Sequence, residues 1–192
     1  ADLQFHFSPG SYKEGVAGLL DDFPGMTLGF YQLRPHSIGT LRLRSADPFD
    51  APMIQPNYMT DERDQRVVAA ALRLTRRMLH GNALSRYHDG DEFPPASAVS
   101  DDDLIEFARQ RGGTAWHLVG TCRMGPASDP TAVVDAQLRV IGLQGLRIAD
   151  ASVMPRMPSG NTQIPTMMIA EKAADMLLGI APPPPEYPQQ AA

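Results

Sequence analysis

Cysteine is almost absent: Cys122 is the single thiol in 192 residues. One thiol excludes an internal disulfide and any cysteine-based metal centre, and it fits a reducing compartment. Basic residues are outnumbered, 17 Lys and Arg against 22 Asp and Glu, for a net charge of -5 and a pI near 5.5. The arginines are scattered rather than striped, so no nucleic-acid surface is expected, because phosphate recognition needs clustered cations. Long apolar runs are missing too, with none of the roughly 18 residues that a membrane-spanning helix needs. The opening residues lack the charged and apolar blocks of a secretory signal. These absences lead to the expectation of a cytoplasmic protein. The chain opens on ADLQFHF, already alternating like a strand, which suggests a start inside a longer polypeptide or after a cleavage; removal of an initiator Met before Ala1 is the ordinary alternative.

What remains is ample for one well-buried core. Leu3, Phe5 and Phe7 alternate with Gln4 and His6, the period of a half-buried strand. Residues 26–34 read as a second strand and 40–45 as a third, with Leu41 and Leu43 facing in. PHSIG between them is turn chemistry and predicts an antiparallel hairpin. SADPFDAPMIQPNYMT, rich in proline, reads as an ordered surface connection. A helix is expected over 64–79, capped by Thr60 or Asp61, with Val68, Ala71, Leu72, Met78 and Leu79 on its apolar face. Gly81 or Asn82 would take the left-handed position that ends it. Ser100 and three aspartates open a short helix with a capping box, which stops at Gly112 and Gly113. Short strands are expected at 133–135, 138–141 and 146–149, a last helix over 165–178, and an extended or disordered tail from the proline run.

Several residues carry possible chemistry. His117 sits in a glycine-punctuated apolar run, where a neutral imidazole suits the removal of a hydroxyl proton; a structural hydrogen-bonding role is the ordinary alternative. Asn161 can donate from its amide to the same oxygen as charge builds on it, or simply cap the helix behind it. That helix start, near 162–166, offers free backbone N–H groups and a positive dipole end. Asp150 ends an expected strand and could accept from a cofactor hydroxyl or a backbone amide. Cys122 reads as a buried small residue and the ten methionines as core and pocket filler. His88 beside Asp89, Asp91 and Glu92 matches no ligand spacing, so that stretch reads as a solvated acidic loop and no metal site is expected.

The runs WHLVGTCRMG, VVDAQLRVIGLQGLRIADASVMP and SGNTQIPTMMIAEKAADML strongly resemble the C-terminal portion of the glucose-methanol-choline (GMC) oxidoreductases. The earlier LRPHSIGTLRLRSADPFDAPMIQPNYM resembles the same family's substrate domain, so the likeness extends in order over nearly all of 3–179. It implies an α+β fold, an antiparallel sheet with flanking helices, then a strand and helix returning to complete a FAD-binding domain. The implied divisions are 1–142 for substrate binding and catalysis, 143–180 for the return, and 181–192 for the tail.

By this resemblance His117 matches the active-site histidine and Asn161 the second active-site position. Asp150 and Ala151 match a segment approaching FAD, and Asn161, Thr162, Gln163 and Pro165 the helix entrance beside the isoalloxazine ring. The implied activity is oxidation of a primary alcohol to an aldehyde, by proton abstraction and hydride transfer to flavin N5, as an oxidase or a dehydrogenase. Oxygen or a quinone-like carrier would then accept the electrons. Alternatives are a hydroxynitrile lyase of the same family, or a non-catalytic cap or interaction fragment. Ile38 stands where many members have Arg in a Ser-Arg-Gly turn. The sequence also has no GxGxxG after a first strand. Activity is therefore expected to need an N-terminal FAD-binding half as partner, and the chain alone to be inactive.

Overall fold

In a computed structural model, residues 2–13, 18–91, 93–184 and 186 are described. Among the described residues the chain is α+β, with short antiparallel sheets and three α-helices. It divides into two compact units, Ala1–Trp116 and His117–Ala192. This division falls N-terminal to the expected boundary at 142/143. The reason is local: backbone bonds tie 122–124 and 138–140 to residues between 146 and 153.

In the first unit, β1 (Leu3–Ser8) pairs antiparallel with β2 (Thr27–Gln32), Leu3 opposite Gln32 and Ser8 opposite Thr27. The connection between them is described only at its ends, since 14–17 lie outside the described residues. The expected hairpin from β2 across PHSIG does not form. Instead β3 (Thr40–Arg42) pairs with β4 (Met53–Gln55), inside the stretch read as a connection. Asp64 accounts for the first difference. Its buried carboxylate, 2% exposed, accepts from His36 N, from Ser37 N at 2.7 Å, from Ser37 Oγ at 2.5 Å and from Gln32 Nε2 at 2.8 Å. The donors that a hairpin turn would use are thus committed to a helix. Pro52 and Pro56 account for the second, because they flank a three-residue strand without interrupting its ladder. Gly39 lets the strands approach, as a Cβ there would collide with the backbone of Gln55 and Pro56. Leu41 and Leu43, expected to face in, are 49% and 84% exposed.

Helix α1 (Glu62–Leu79) starts at Asp61, whose side chain accepts from Arg63 N. Acidic residues occupy its first turn and Arg76 and Arg77 its last, both favourable to the helix dipole. It ends at His80 with a right-handed backbone, and neither Gly81 nor Asn82 has a positive φ. Helix α2 (Asp101–Arg111) carries the expected capping box: Ser100 Oγ accepts from Asp103 N while Asp103 accepts from Ser100 N. Val68, Ala69 and Leu72 of α1 pack with Leu104 and Ile105 of α2 and with Ala98, and Phe30 of β2 closes one side.

The second unit is built on backbone bridges rather than the expected strands: Met124 with Val134, Val134 with Val140, Arg139 with Arg147. Leu138 takes a positive φ of 62°. Asp135 supports it by accepting from the backbone N–H groups of Gln137 and Arg139 at 2.9 Å. Val134, Leu138 and Val153 form a core to which α3 (Gln163–Leu178) contributes Ala173 and Ile169. Gly179, left-handed at φ 70°, ends α3. Met168 of α3 is 56% exposed. The expected tail lies largely outside the described residues.

Asp64 yields a stability prediction. Burial pushes its carboxyl up, but the hydrogen bonds from Ser37, His36 and Gln32 outweigh that and hold it below the usual carboxylate range. A depressed folded pKa means the stabilisation is full above the unfolded value of about 3.9 and is lost as pH falls through the folded value. Asp64→Asn places an amide against donors, and should cost at least about 2 kcal/mol at neutral pH. It should also flatten the acid limb of stability. Denaturant unfolding of the intact protein at pH 7 and pH 3 checks this, and an unchanged midpoint at both pH values discards the assignment.

Candidate active site

His117 opens the second unit, just after Trp116, whose φ of 57° is left-handed. Three residues later Gly120 turns the chain at φ 90°. From there Cys122 N donates to Ser152 O at 3.0 Å and Met124 N to Val153 O at 2.8 Å. Asp150 stands before this partner segment and accepts from Ser152 N at 2.8 Å, which fixes the tight turn Ala151–Val153. Of the two roles open to Asp150, the backbone one is therefore present. The chain then reaches Asn161 and the start of α3.

Here His117 meets both Asn161 and Thr162. Asn161 Nδ2 lies 2.8 Å from His117 Nε2, and Thr162 Oγ1 lies 2.9 Å from Nδ1. An amide N–H can only donate, so Nε2 is the lone-pair nitrogen and Nδ1–H donates to the threonine hydroxyl. The tautomer is thus assigned from heavy-atom distances. Thr162 N also approaches Nδ1, but at 3.5 Å, and the shorter contact decides. The N-cap position is held by Thr162, not Asn161, and Thr162 makes no side-chain cap bond. Its hydroxyl is directed to the imidazole instead, which leaves the N–H groups of Gln163 and Ile164 without a side-chain cap. Pro165 has no N–H to satisfy in that first turn.

His117 is half-buried, Asn161 exposed and Thr162 buried. A lone pair and an amide donor, 2.8 Å apart at an accessible edge, can together take a proton from a hydroxyl and hold the oxygen left behind. The uncapped helix start, beside exposed Ile164 and Met167, suits the polar edge and apolar face of a flavin ring. These residues fit that end of FAD. Cys122 is half-buried rather than buried, and Met167 and Met168 are surface rather than filler.

Sequence reasoning assigned Thr162 to cofactor binding and missed its bond to His117. Its one available signal was a hydroxyl residue directly after the candidate asparagine. It also missed His80. Asp91, read as part of a solvated loop, has a side chain only 9% exposed and lies between His80, His88 and Arg76. Asp89 is exposed as expected, and Glu92 is outside the described residues.

A family profile of GMC oxidoreductase matches residues 35–170. The chain belongs to this family. It is 44% identical over 180 residues to human mitochondrial choline dehydrogenase, covering 93% of this chain and 30% of that protein. It is 39% identical over 177 residues to an alcohol dehydrogenase [acceptor] of Pseudomonas putida, covering 92% and 32%. A FAD-dependent oxidoreductase from Chaetomium thermophilum superposes with a TM-score of 0.74 at 30% identity, over 80% of this chain and 26% of that one. The chain thus spans about a third of the length of these curated relatives.

The site geometry makes a tautomer prediction. Nitrogen-15 correlation spectra of the intact protein at neutral pH should show His117 protonated at Nδ1 and unprotonated at Nε2. Thr162→Val should shift it toward the Nε2–H form. A wild-type ring already in the Nε2–H form overturns the assignment.

Proposed function

We propose that this chain forms the alcohol-handling part of a FAD-dependent oxidoreductase that converts a primary alcohol to an aldehyde. The observation that carries this reading is the 2.8 Å contact between His117 Nε2 and the amide Nδ2 of Asn161. His117 Nε2 takes the hydroxyl proton. Asn161 Nδ2 donates to the same oxygen as negative charge builds on it, stabilising the alkoxide-like state more than the neutral alcohol. Thr162 Oγ1 accepts from Nδ1, which holds the ring in plane and supports the cation it becomes. FAD, when bound, supplies the hydride acceptor. Asp150, Ala151, Asn161, Thr162, Gln163 and Pro165 would line its ring end, and the free N–H groups of the α3 start favour negative charge there.

The activity requires a FAD-binding partner half, whether joined to this chain or separate. Two features support such a partner. The relatives are about three times as long, and α3 exposes Ile164, Met167, Met168, Leu177 and Leu178, an apolar surface that a companion would cover. Oxygen or a quinone-like carrier reoxidises the cofactor.

In the intact enzyme, His117→Ala should slow anaerobic flavin bleaching by alcohol at least about a hundredfold, the scale of general-base catalysis. Asn161→Ala should lower the same rate, while Asn161→Gln keeps part of it. Normal bleaching in H117A removes His117 from the role, and no bleaching by any alcohol in the wild type removes the oxidation.

A further inference from the structure

A second histidine cluster lies in the first unit and takes no part in this chemistry. His80 at the end of α1 and His88 both direct Nε2 at Asp91 Oδ1, at 3.0 and 2.9 Å, with ring centroids 4.3 Å apart. The three ligand atoms all lie within 4.8 Å of one another. We propose that His80, His88 and Asp91 form a binding site for a divalent transition-metal ion of the zinc class.

The donor set argues for that class. Two imidazoles and one carboxylate suit zinc, copper or nickel, whereas magnesium and calcium prefer oxygen alone. Size agrees as well. Bonds of about 2.0–2.1 Å in a tetrahedral centre place the ligand atoms about 3.3 Å apart; the two nitrogen–oxygen separations are 3.0 and 2.9 Å, and all three atoms lie within 4.8 Å. Each Nε2 proton would relocate to Nδ1 through solvent, presenting a lone pair to the ion.

The supports are built in. Arg76 faces the other carboxylate oxygen, its Nε 3.3 Å from Asp91 Oδ2, and its terminal nitrogens donate to the carbonyls of Pro94, Pro95 and Ala98. It therefore braces the 94–98 loop and places its positive charge against Oδ2, while Oδ1 stays turned to the imidazoles. Such a brace is how carrier groups behind a metal ligand act. Asp91 and His88 have side chains 9% and 12% exposed, whereas His80 is 54% exposed. Three protein ligands with one accessible side leave a fourth position for water, as in exchangeable rather than closed zinc sites.

The test uses the intact, untagged protein. After equilibration with zinc and dialysis, elemental analysis should find one zinc per chain above that of the His80→Gln/His88→Gln double variant. Calorimetric titration with zinc should give an affinity that His80→Gln weakens at least about tenfold; this position is exposed, so folding is spared. Cobalt should bind in the same stoichiometry and give tetrahedral visible bands that the double variant lacks. Zinc content equal in wild type and double variant, or an affinity indifferent to His80→Gln, overturns the site and leaves an ordinary hydrogen-bonded histidine pair on Asp91.

Discussion

The backbone pairing of 122–124 with 152–153 is the constraint on which the candidate active site depends. Two hydrogen bonds, Cys122 N to Ser152 O and Met124 N to Val153 O, bring together segments thirty residues apart in sequence. Val134 and Val153, both fully buried, fill the space beneath. His117 precedes one of these segments and Asn161 follows the other, so fixing the pair fixes the approach of imidazole to amide. Left-handed residues at Gly120 and Leu138 are needed to turn the chain tightly enough for it. An L side chain at Gly120 would be strained whatever space it found.

The helix start then sets the electronic arrangement. Threonine at a helix N-terminus usually gives its oxygen to a backbone N–H of the first turn. Thr162 gives it to His117 Nδ1 instead. One local bond is forgone, and in exchange the imidazole is held in the tautomer whose Nε2 is unprotonated and faces the Asn161 amide. The forgone cap keeps the donor end of α3 open, so a single side chain both orients the base and preserves an anion-favouring surface next to it.

How much of this is visible in the sequence depends on the range of the controlling interaction. The capping box at Ser100 and the strand at Leu3–Ser8 are local, and they appear where expected; the alternation within that strand does not carry through, since Phe7 is 53% exposed. His117 and Asn161 are legible because long motifs surround them, and their proximity is then a matter of one ladder. The β2 to β3 hairpin fails because Asp64, nearly thirty residues downstream, takes the turn's donors. No window of hydrophobic period contains that information. Strand β4 hides between prolines, which count against strands everywhere except at their ends. Leu41 and Leu43 alternate with arginines, yet they are 49% and 84% exposed, so periodicity identifies a face without locating its partner.

The two histidine sites show how one side chain acquires opposite roles from its neighbour. At His117 the partner of Nε2 is an amide N–H, a donor, so the nitrogen must be the acceptor and is available as a base. At His80 and His88 the partner of Nε2 is a carboxylate oxygen, an acceptor, so each nitrogen carries a hydrogen directed at it. The first arrangement holds a lone pair ready at an accessible edge. The second aims two N–H groups at one carboxylate oxygen, with Arg76 behind it, at the geometry where a divalent cation would take their place. Imidazole chemistry in this protein is therefore decided by the hydrogen-bonding sense of Asn161 and Asp91, not by the histidines themselves.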